Sequence, residues 1–433
     1  MCFLLQLLAI FLAIISHEHE ATAADYVPPY TSIVIPVNKH TDAANPLYSV
    51  QIMTAYVNMQ FLQQNFLIDI DAPFIWYDCI VQWNIYLGSC PDNALCISPV
   101  SCEEYLCTHV RTYYSYKNPS CSPETNSSTL PGWGFCTCPV NVVNPLTGSC
   151  SQALLNYDAF TVSTSDGRNA FDGFHGAYPN AACASSSSFA SFPANVSGVM
   201  AFSSSPYAMP AYLYQPLKKT LAFCFPSKPS APGVLFFGTG PYYLLPLSNV
   251  DVRSYLTYTP LLKHHDSFGY FIGVVSIVIK KRSINVPANT TTKLSTIDPY
   301  TTLRTDIYNG VVRRFSKVTK RIPSGKPIAP FGLCYNTLTT GLKVPDIDFI
   351  LPDGKKWSVS TANSIKQVTN EVACLAFVDG GATSEPAIVI GTFQFEDNFL
   401  EFDLENSTFG FSSSLLRRQT SCANFNFTLT SGP

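Results

Sequence analysis

The residues best placed to do chemistry are Asp69 and Asp71, in the stretch FLIDIDAPFIWYDC from Phe66 to Cys79. Three apolar residues, an aspartate, a short polar break and then Phe-Ile-Trp read as buried strand pieces. Asp69 is therefore expected at the mouth of a core, an unusual place for an aspartate. The chemistry open to such a group is acid-base work. Beside a second carboxylate with which it shared one proton, such a group could take a proton from water while its neighbour gave one to a reacting oxygen. A lone carboxylate lacks the like-charged neighbour that raises one pKa of the pair.

An aspartate after three apolar residues, followed by an aliphatic-Trp pair, resembles the first active-site loop of the pepsin-like aspartic proteases, hydrophobic-hydrophobic-Asp-Thr-Gly. Here the triplet is Asp69-Ile70-Asp71 with Ala72 behind it. The aspartate is kept, but the hydroxyl and the glycine are gone. The best second loop is KLSTIDPYTTLRTDIYNGVV, Lys293 to Val312. With Leu303 and Tyr308 setting the register, Ser295 occupies the aspartate position, Thr296 the next and Ile297 the glycine. Sliding the register to Asp298 puts Tyr300 where a tight loop needs a residue free of a Cβ. Asp71 lies two residues from Asp69 on one strand, whereas the family's partner comes from the other lobe. The resemblance thus implies a degenerate dyad, Asp69 and Ser295, with no catalytic residue. In that reading Asp69, Asp71 and Ser295 are structural, and Asp69 and Ser295 are expected to hydrogen-bond across the lobe interface so that burial leaves neither unsatisfied.

The elements that must position these loops read as mainly β. Thr31 to Pro36 and Tyr48 to Met53 alternate as strands, and 32 prolines with few 3.6-period stretches favour a sheet-rich chain. Ser197-Gly-Val-Met-Ala-Phe resembles the family's core strand, and Ala222 to Pro226 followed by Gly233 to Gly238 its exit from the first lobe. In the second half, Leu256 to Leu262 and Tyr270 to Ile279 are strand patterns. Asp306 is a reasonable N-cap for a helix with Ile307, Val311, Val312, Phe315 and Val318 on one face. The basic run Arg313, Arg314, Lys317 and Lys320 is read as its solvated face. The expected architecture is an all-β, bilobal pepsin-like fold with a few short helices: a signal at 1–23, a first lobe at 24–229 carrying a Cys-rich insertion at 79–150, and a second lobe at 230–433. The boundary falls in the loop chemistry of Ser227 to Pro232.

Composition sets the class. About 410 residues after the signal fit two lobes. With 46% hydrophobic and 13% charged residues the chain can bury a large core. The balance of 26 basic against 29 acidic residues gives no field for nucleic acid or an anionic membrane. Phe3 to Ile15 is an apolar run too short to span a bilayer, and Ala21-Thr22-Ala23 is a small-x-small cleavage pattern, so an exported product is expected. Cys2 leaves with the signal, and the other 14 of 15 cysteines are an even number suited to disulfides in an oxidising compartment. Nine lie between Cys79 and Cys150, so at least one must bond outside that block if all are oxidised. A metal knuckle at Cys136-Thr137-Cys138 is the competing reading, but it lacks paired C-x-x-C spacing and nearby histidines. Sequons at Asn126, Asn195, Asn289, Asn406 and Asn426 fit a glycosylated secretory product. By resemblance, Cys334 and Cys374 are candidates for one bridge. No metal and no cofactor are called for.

The last segment, Ser412 to Thr428, with Ile297-Asp-Pro-Tyr-Thr and Gly238-Thr-Gly-Pro-Tyr242, is similar to the plant group of basic 7S globulins, γ-conglutins, extracellular dermal glycoproteins and xylanase inhibitors. That resemblance runs from about Tyr30 to Thr428 and is weakest over residues 79 to 190, where no flap motif with a tyrosine over the cleft is found. It implies a protease fold re-used for binding: a secreted protein that inhibits microbial cell-wall glycoside hydrolases by placing a charged side chain between their catalytic carboxylates. A guanidinium is permanently charged and its fork pairs with carboxylate oxygens, and Arg417 and Arg418 match the region carrying such residues in the dermal-glycoprotein members. The xylanase-inhibitor members use a histidine here and none is present, which shifts the expected partner toward xyloglucan-active endoglucanases. The bland reading of the arginine pair is a solvated terminus. The alternatives to inhibition are a seed storage globulin of the basic 7S type and a residual aspartic endopeptidase.

Overall fold

A computed structural model describes residues 30–41, 45–55, 61–81, 96–114, 136–212, 217–247, 249–288, 290–337, 342 and 344–431. The expected signal, the sequons at Asn126 and Asn289, and much of the cysteine block lie outside the described residues. The architecture is the expected one, mainly β and pepsin-like.

The expected strands are present as Ser32–His40, Leu47–Ala55 and Phe61–Asp69. Phe61–Asp69 pairs antiparallel with Leu47–Ala55 and parallel with Val196–Ala201. The chain then turns and returns as Ile75–Asp78, antiparallel to the other side of Val196–Ala201. A distant strand therefore passes between the two arms that flank Asp69. Gly198 is required there, since a Cβ would meet Tyr77 at 2.5 Å and Phe66 at 2.7 Å.

The same device recurs in the second half. Thr292–Leu294 pairs parallel with Ile388–Ile390, which pairs antiparallel with Thr301–Leu303. Ser295 leaves the first of these strands as Asp69 ends its own. At Gly391 a Cβ would meet Asp298 O at 2.5 Å and the Tyr300 backbone at 2.7 Å. Two copies of one topology thus present one loop each.

A continuous ladder joins the halves: Ser32–His40, Gly233–Phe237, Thr220–Cys224, Phe399–Asp403, Thr408–Phe411 and Thr257–Pro260 lie side by side. Its faces are apolar, with Phe223 stacked on Phe225 at 5.4 Å between ring centroids. Near this ladder Lys39 Nζ lies 2.6 Å from Glu396 Oε1 with both side chains almost wholly buried, and the Tyr48 hydroxyl donates to the same oxygen. Asn426–Thr430 then crosses back to pair with Asn169–Ala177.

The helix Thr305–Val318 buries Ile307, Val311 and Phe315, as its periodicity predicts. Its cap differs from expectation. Arg304 holds the N-cap position and makes no side-chain capping bond, and Asp306 sits in the first turn, where its carboxylate accepts from the Arg304 guanidinium. Arg313, Lys317 and Lys320 are exposed, whereas Arg314 donates to the carbonyls of Ile279 and Lys280. Tyr270 to Ile279 is two strands, Phe271–Ile272 and Ser276–Ile279, in different sheets.

Five disulfides lie among the described residues. Cys79–Cys183 is the bond out of the cysteine block that an odd count demands. Cys102–Cys136 and Cys107–Cys138 commit the pair that could have formed a knuckle, and Cys96 and Cys150 are also disulfide-bonded. Cys334–Cys374 is the bridge the resemblance implied. Cys224–Cys422 fastens the C-terminal segment to the ladder. Asn195, Asn406 and Asn426 are exposed. Among the described residues no helix is long and apolar enough to cross a membrane.

Candidate functional site

Asp69 and Ser295 line one cavity of about 390 Å³. They do not hydrogen-bond to each other as expected. Asp69 Oδ1 accepts from the backbone N–H groups of Asp71, at 2.8 Å, and Ala72, at 3.1 Å. Ser295 Oγ accepts from Ile297 N and Asp298 N. Each side chain satisfies the donors of its own turn, because a short oxygen at the head of a tight turn reaches the N–H groups two and three residues on. The same reach accounts for the tightness of both loops.

The cross-cleft connections are made by the next residues along. Thr296 Oγ1 donates to Ile68 O at 2.8 Å and accepts from Ile70 N at 3.3 Å. Ile70, where the family has a hydroxyl, offers nothing in return. The second connection is ionic: Lys293 Nζ lies 2.5 Å from Asp71 Oδ2, and Ser267 Oγ donates to Asp71 Oδ1 at 2.6 Å. Gly269 makes room, since a Cβ there would stand 2.8 Å from that oxygen. Lysine at 293 was not singled out in the sequence. Its signal is Asp71 itself, which introduces a second charge where the family has glycine and calls for a cation.

The two aspartates are driven apart electrostatically. Burial, and then the Asp71 charge, push the Asp69 carboxyl up to about 6 against the pull of its two backbone donors. For Asp71 burial acts upward as well, but the charge and hydrogen bond of Lys293, with Ser267 and Gly269, bring it below the usual carboxylate range. Burial lowers the Lys293 ammonium and Asp71 more than reverses that. The arrangement is an un-ionised acid beside a fixed ion pair whenever the pH is below about 6.

One side of the cavity is formed by the hairpin of Pro139–Val143 and Cys150–Tyr157, which contributes Asn141, Val142, Val143 and Pro145. The sequence reading found no flap. The hairpin is two alternating runs around Asn144-Pro-Leu-Thr-Gly set within a cysteine-rich block. Asn144 shapes its turn by accepting from Leu146 N and Thr147 N, and its tip carries no tyrosine.

Arg417 and Arg418 close a short helical turn, Leu415–Arg418, outside the cavity. Arg417 Nη2 donates to both oxygens of Asp346, at 2.7 and 2.9 Å, with about half of its side chain exposed (53%). The Arg418 guanidinium lies over the Tyr255 ring, 4.8 Å from its centroid, and among the described residues it has no carboxylate partner. Cys224–Cys422 anchors the segment just beyond.

Comparison with known proteins agrees with this geometry. Residues 52–239 match the family model described as xylanase inhibitor N-terminal, and residues 269–413 that described as xylanase inhibitor C-terminal. The chain is 35% identical to gamma conglutin 1 of Prunus dulcis over 410 residues, covering 91% of this chain and 89% of the relative. It is 33% identical to a protein of Oryza sativa subsp. japonica named chitinase CLP, covering 90% of each. The crystal structure of edgp superposes with a TM-score of 0.79 at 30% identity, covering 93% of this chain and all of that one. The chain belongs to the xylanase-inhibitor and gamma-conglutin family of pepsin-like folds.

Proposed function

We propose that this protein is a secreted, non-proteolytic inhibitor of a microbial cell-wall glycoside hydrolase, of the xyloglucan-endoglucanase or xylanase type. The observation that carries the first half is Ser295. By resemblance Ser295 takes the position of the second carboxylate, and a hydroxyl does not ionise in the range where Asp69 does. The ion pair of Asp71 with Lys293 fills the neighbouring space with fixed charge. Absence of peptide hydrolysis is the consequence, and the residual-endopeptidase reading loses its second catalytic group.

For the inhibitory half, the arginine pair divides its work. Arg417 donates through Nη2 to both oxygens of Asp346, which tethers the turn. Arg418 keeps its donors free above an aromatic face, and a guanidinium so placed can pair with carboxylates in a hydrolase active site. The enzyme-facing group is therefore Arg418, with Arg417 as its anchor. Substitution tests this: Arg418→Ala abolishes inhibition of a sensitive glucanase, Arg417→Ala weakens it, and unchanged inhibition in the double variant overturns the wedge. A storage role of the basic 7S type is the second reading, favoured by the identity to gamma conglutin 1. It predicts abundant accumulation in seed and no inhibition of any hydrolase.

A further inference from the structure

The cavity at Asp69 is not used by a binding surface at Arg417 and Arg418, yet it has the features of a ligand site. Asp69 is more than nine-tenths buried. Its Oδ1 is engaged by two backbone donors, whereas Oδ2 has no hydrogen-bond partner among the described residues. The half-buried Asp298 lines the same space, and among the described residues its carboxylate has neither an ion-pair nor a hydrogen-bond partner. Four carboxylates and one ammonium border the cavity. Lys293 is paired with Asp71 and its charge also reaches Asp69 and Asp298, so one ammonium is shared among these carboxylates and the cavity is left with an excess of acidic groups. Low-dielectric walls concentrate the field of such charges.

A metal ion is a poor occupant. Among the described residues the one group of three or more metal-ligating side chains close enough to share an ion is His264, His265 and Asp266, so Asp69, Asp71 and Asp298 do not converge. Val142, Pro145, Phe268 and Ile297 supply apolar wall instead. A volume of about 390 Å³ lies within the ~300–1,000 Å³ of small-molecule sites. Apolar walls with separated acids suit an aliphatic stem ending in a strongly hydrated cation, which can lie along the walls and reach a carboxylate.

We propose that this cavity binds an aliphatic ammonium ion, with Asp298 and Asp69 as its counter-charges and the hairpin at Val142 and Pro145 as the wall for its stem. The ammonium belongs either to a free polyamine or to a lysine side chain of a peptide. This inference is independent of the inhibitory reading, whose tests act at Arg417 and Arg418.

Isothermal titration of the full-length protein at pH 7 with spermidine, and separately with an end-blocked alanyl-lysyl-alanine peptide, decides it. One-to-one binding of at least one probe is expected, weakened tenfold or more by Asp298→Asn and unchanged by the distant Asp353→Asn. Lowering the pH from 7 to 5 weakens binding too, because Asp69 takes up its proton near 6. Tighter binding of spermidine identifies the free polyamine as the ligand, and tighter binding of the peptide the lysine side chain. Binding of neither probe overturns the proposal, as does wild-type affinity in Asp298→Asn.

Discussion

Lys293 reaches from one half of the chain to place its ammonium 2.5 Å from the carboxylate of Asp71 in the other half. Residues 71 and 293 each stand two positions from Asp69 or Ser295, and the pair bonds the two loops together where Asp69 and Ser295 do not bond to each other.

Breaking this pair by Lys293→Met is expected to destabilise the protein by ~1–3 kcal/mol, because Asp71 is left with an uncompensated, mostly buried charge. Lys293→Met combined with Asp71→Leu is expected to recover much of that loss. Urea unfolding of the two single variants, the double variant and the wild type measures the coupling directly. A coupling near zero would show the pair to be solvent-screened.

Thr296→Val removes the hydroxyl that serves both Ile68 O and Ile70 N. A buried N–H and a carbonyl lose their partner together, and ~1–3 kcal/mol of stability is expected to go with them. Ser295→Ala leaves a half-buried turn without its acceptor and is expected to cost ~1 kcal/mol. The larger effect at 296 than at 295, read from urea midpoints, distinguishes a cross-cleft bond from a local one.

Acid pH is expected to stabilise this protein relative to neutral pH through buried acids, Asp69 and Asp158 foremost, with Glu396 and Glu401 raised in the same sense. Asp69 is raised to about 6 and Asp158 to about 7, burial being the first cause in each. The unfolded chain ionises near 4, the folded groups later. Between those values the folded state holds more protons, so stability falls as pH rises from about 4 to about 7. Asp71, lowered by Lys293 despite its burial, works in the opposite sense and is lost only at pH below the ordinary carboxylate range. Melting temperature followed from pH 4 to 8 is expected to decline. Asp158→Asn, whose amide oxygen can accept from Ala159 N while its NH2 donates to the Tyr77 hydroxyl oxygen, is expected to flatten that decline.

Much of this was legible in the residues. The apolar-Asp-apolar run, the threonines after Ser295 and the glycines at 198 and 391 are short-range patterns imposed by a strand passing between the arms of each loop, so the duplicated frame could be read locally. Lys293 was legible only as a demand: Asp71 calls for a cation, but its partner lies 222 residues away and no spacing rule names it. The Asp69–Ser295 bond was misjudged for the same kind of reason, since turn geometry offers each oxygen nearer donors. The hairpin beside the cavity was overlooked because its strands sit inside a cysteine-rich block whose cross-links, not its alternation, dominate the sequence.

Cys224–Cys422 spans 198 residues and holds the turn carrying Arg417 and Arg418. Replacing both cysteines by serine is expected to cost ~3–5 kcal/mol on the loop-closure account. Faster amide exchange is expected at 412–431. Unaltered exchange there would mean that the Asn426–Thr430 strand suffices to anchor the tail.

The central claim is that an emptied protease cleft accompanies an inhibitory surface. It is tested most directly by titrating the purified protein into a panel of microbial xyloglucan-active endoglucanases and xylanases, with a casein cleavage assay alongside at acid pH. The account predicts stoichiometric loss of activity in one class, dependent on Arg418, and no casein cleavage. Full hydrolase activity at a large excess of the protein, or casein cleavage that disappears in Asp69→Asn, would contradict it.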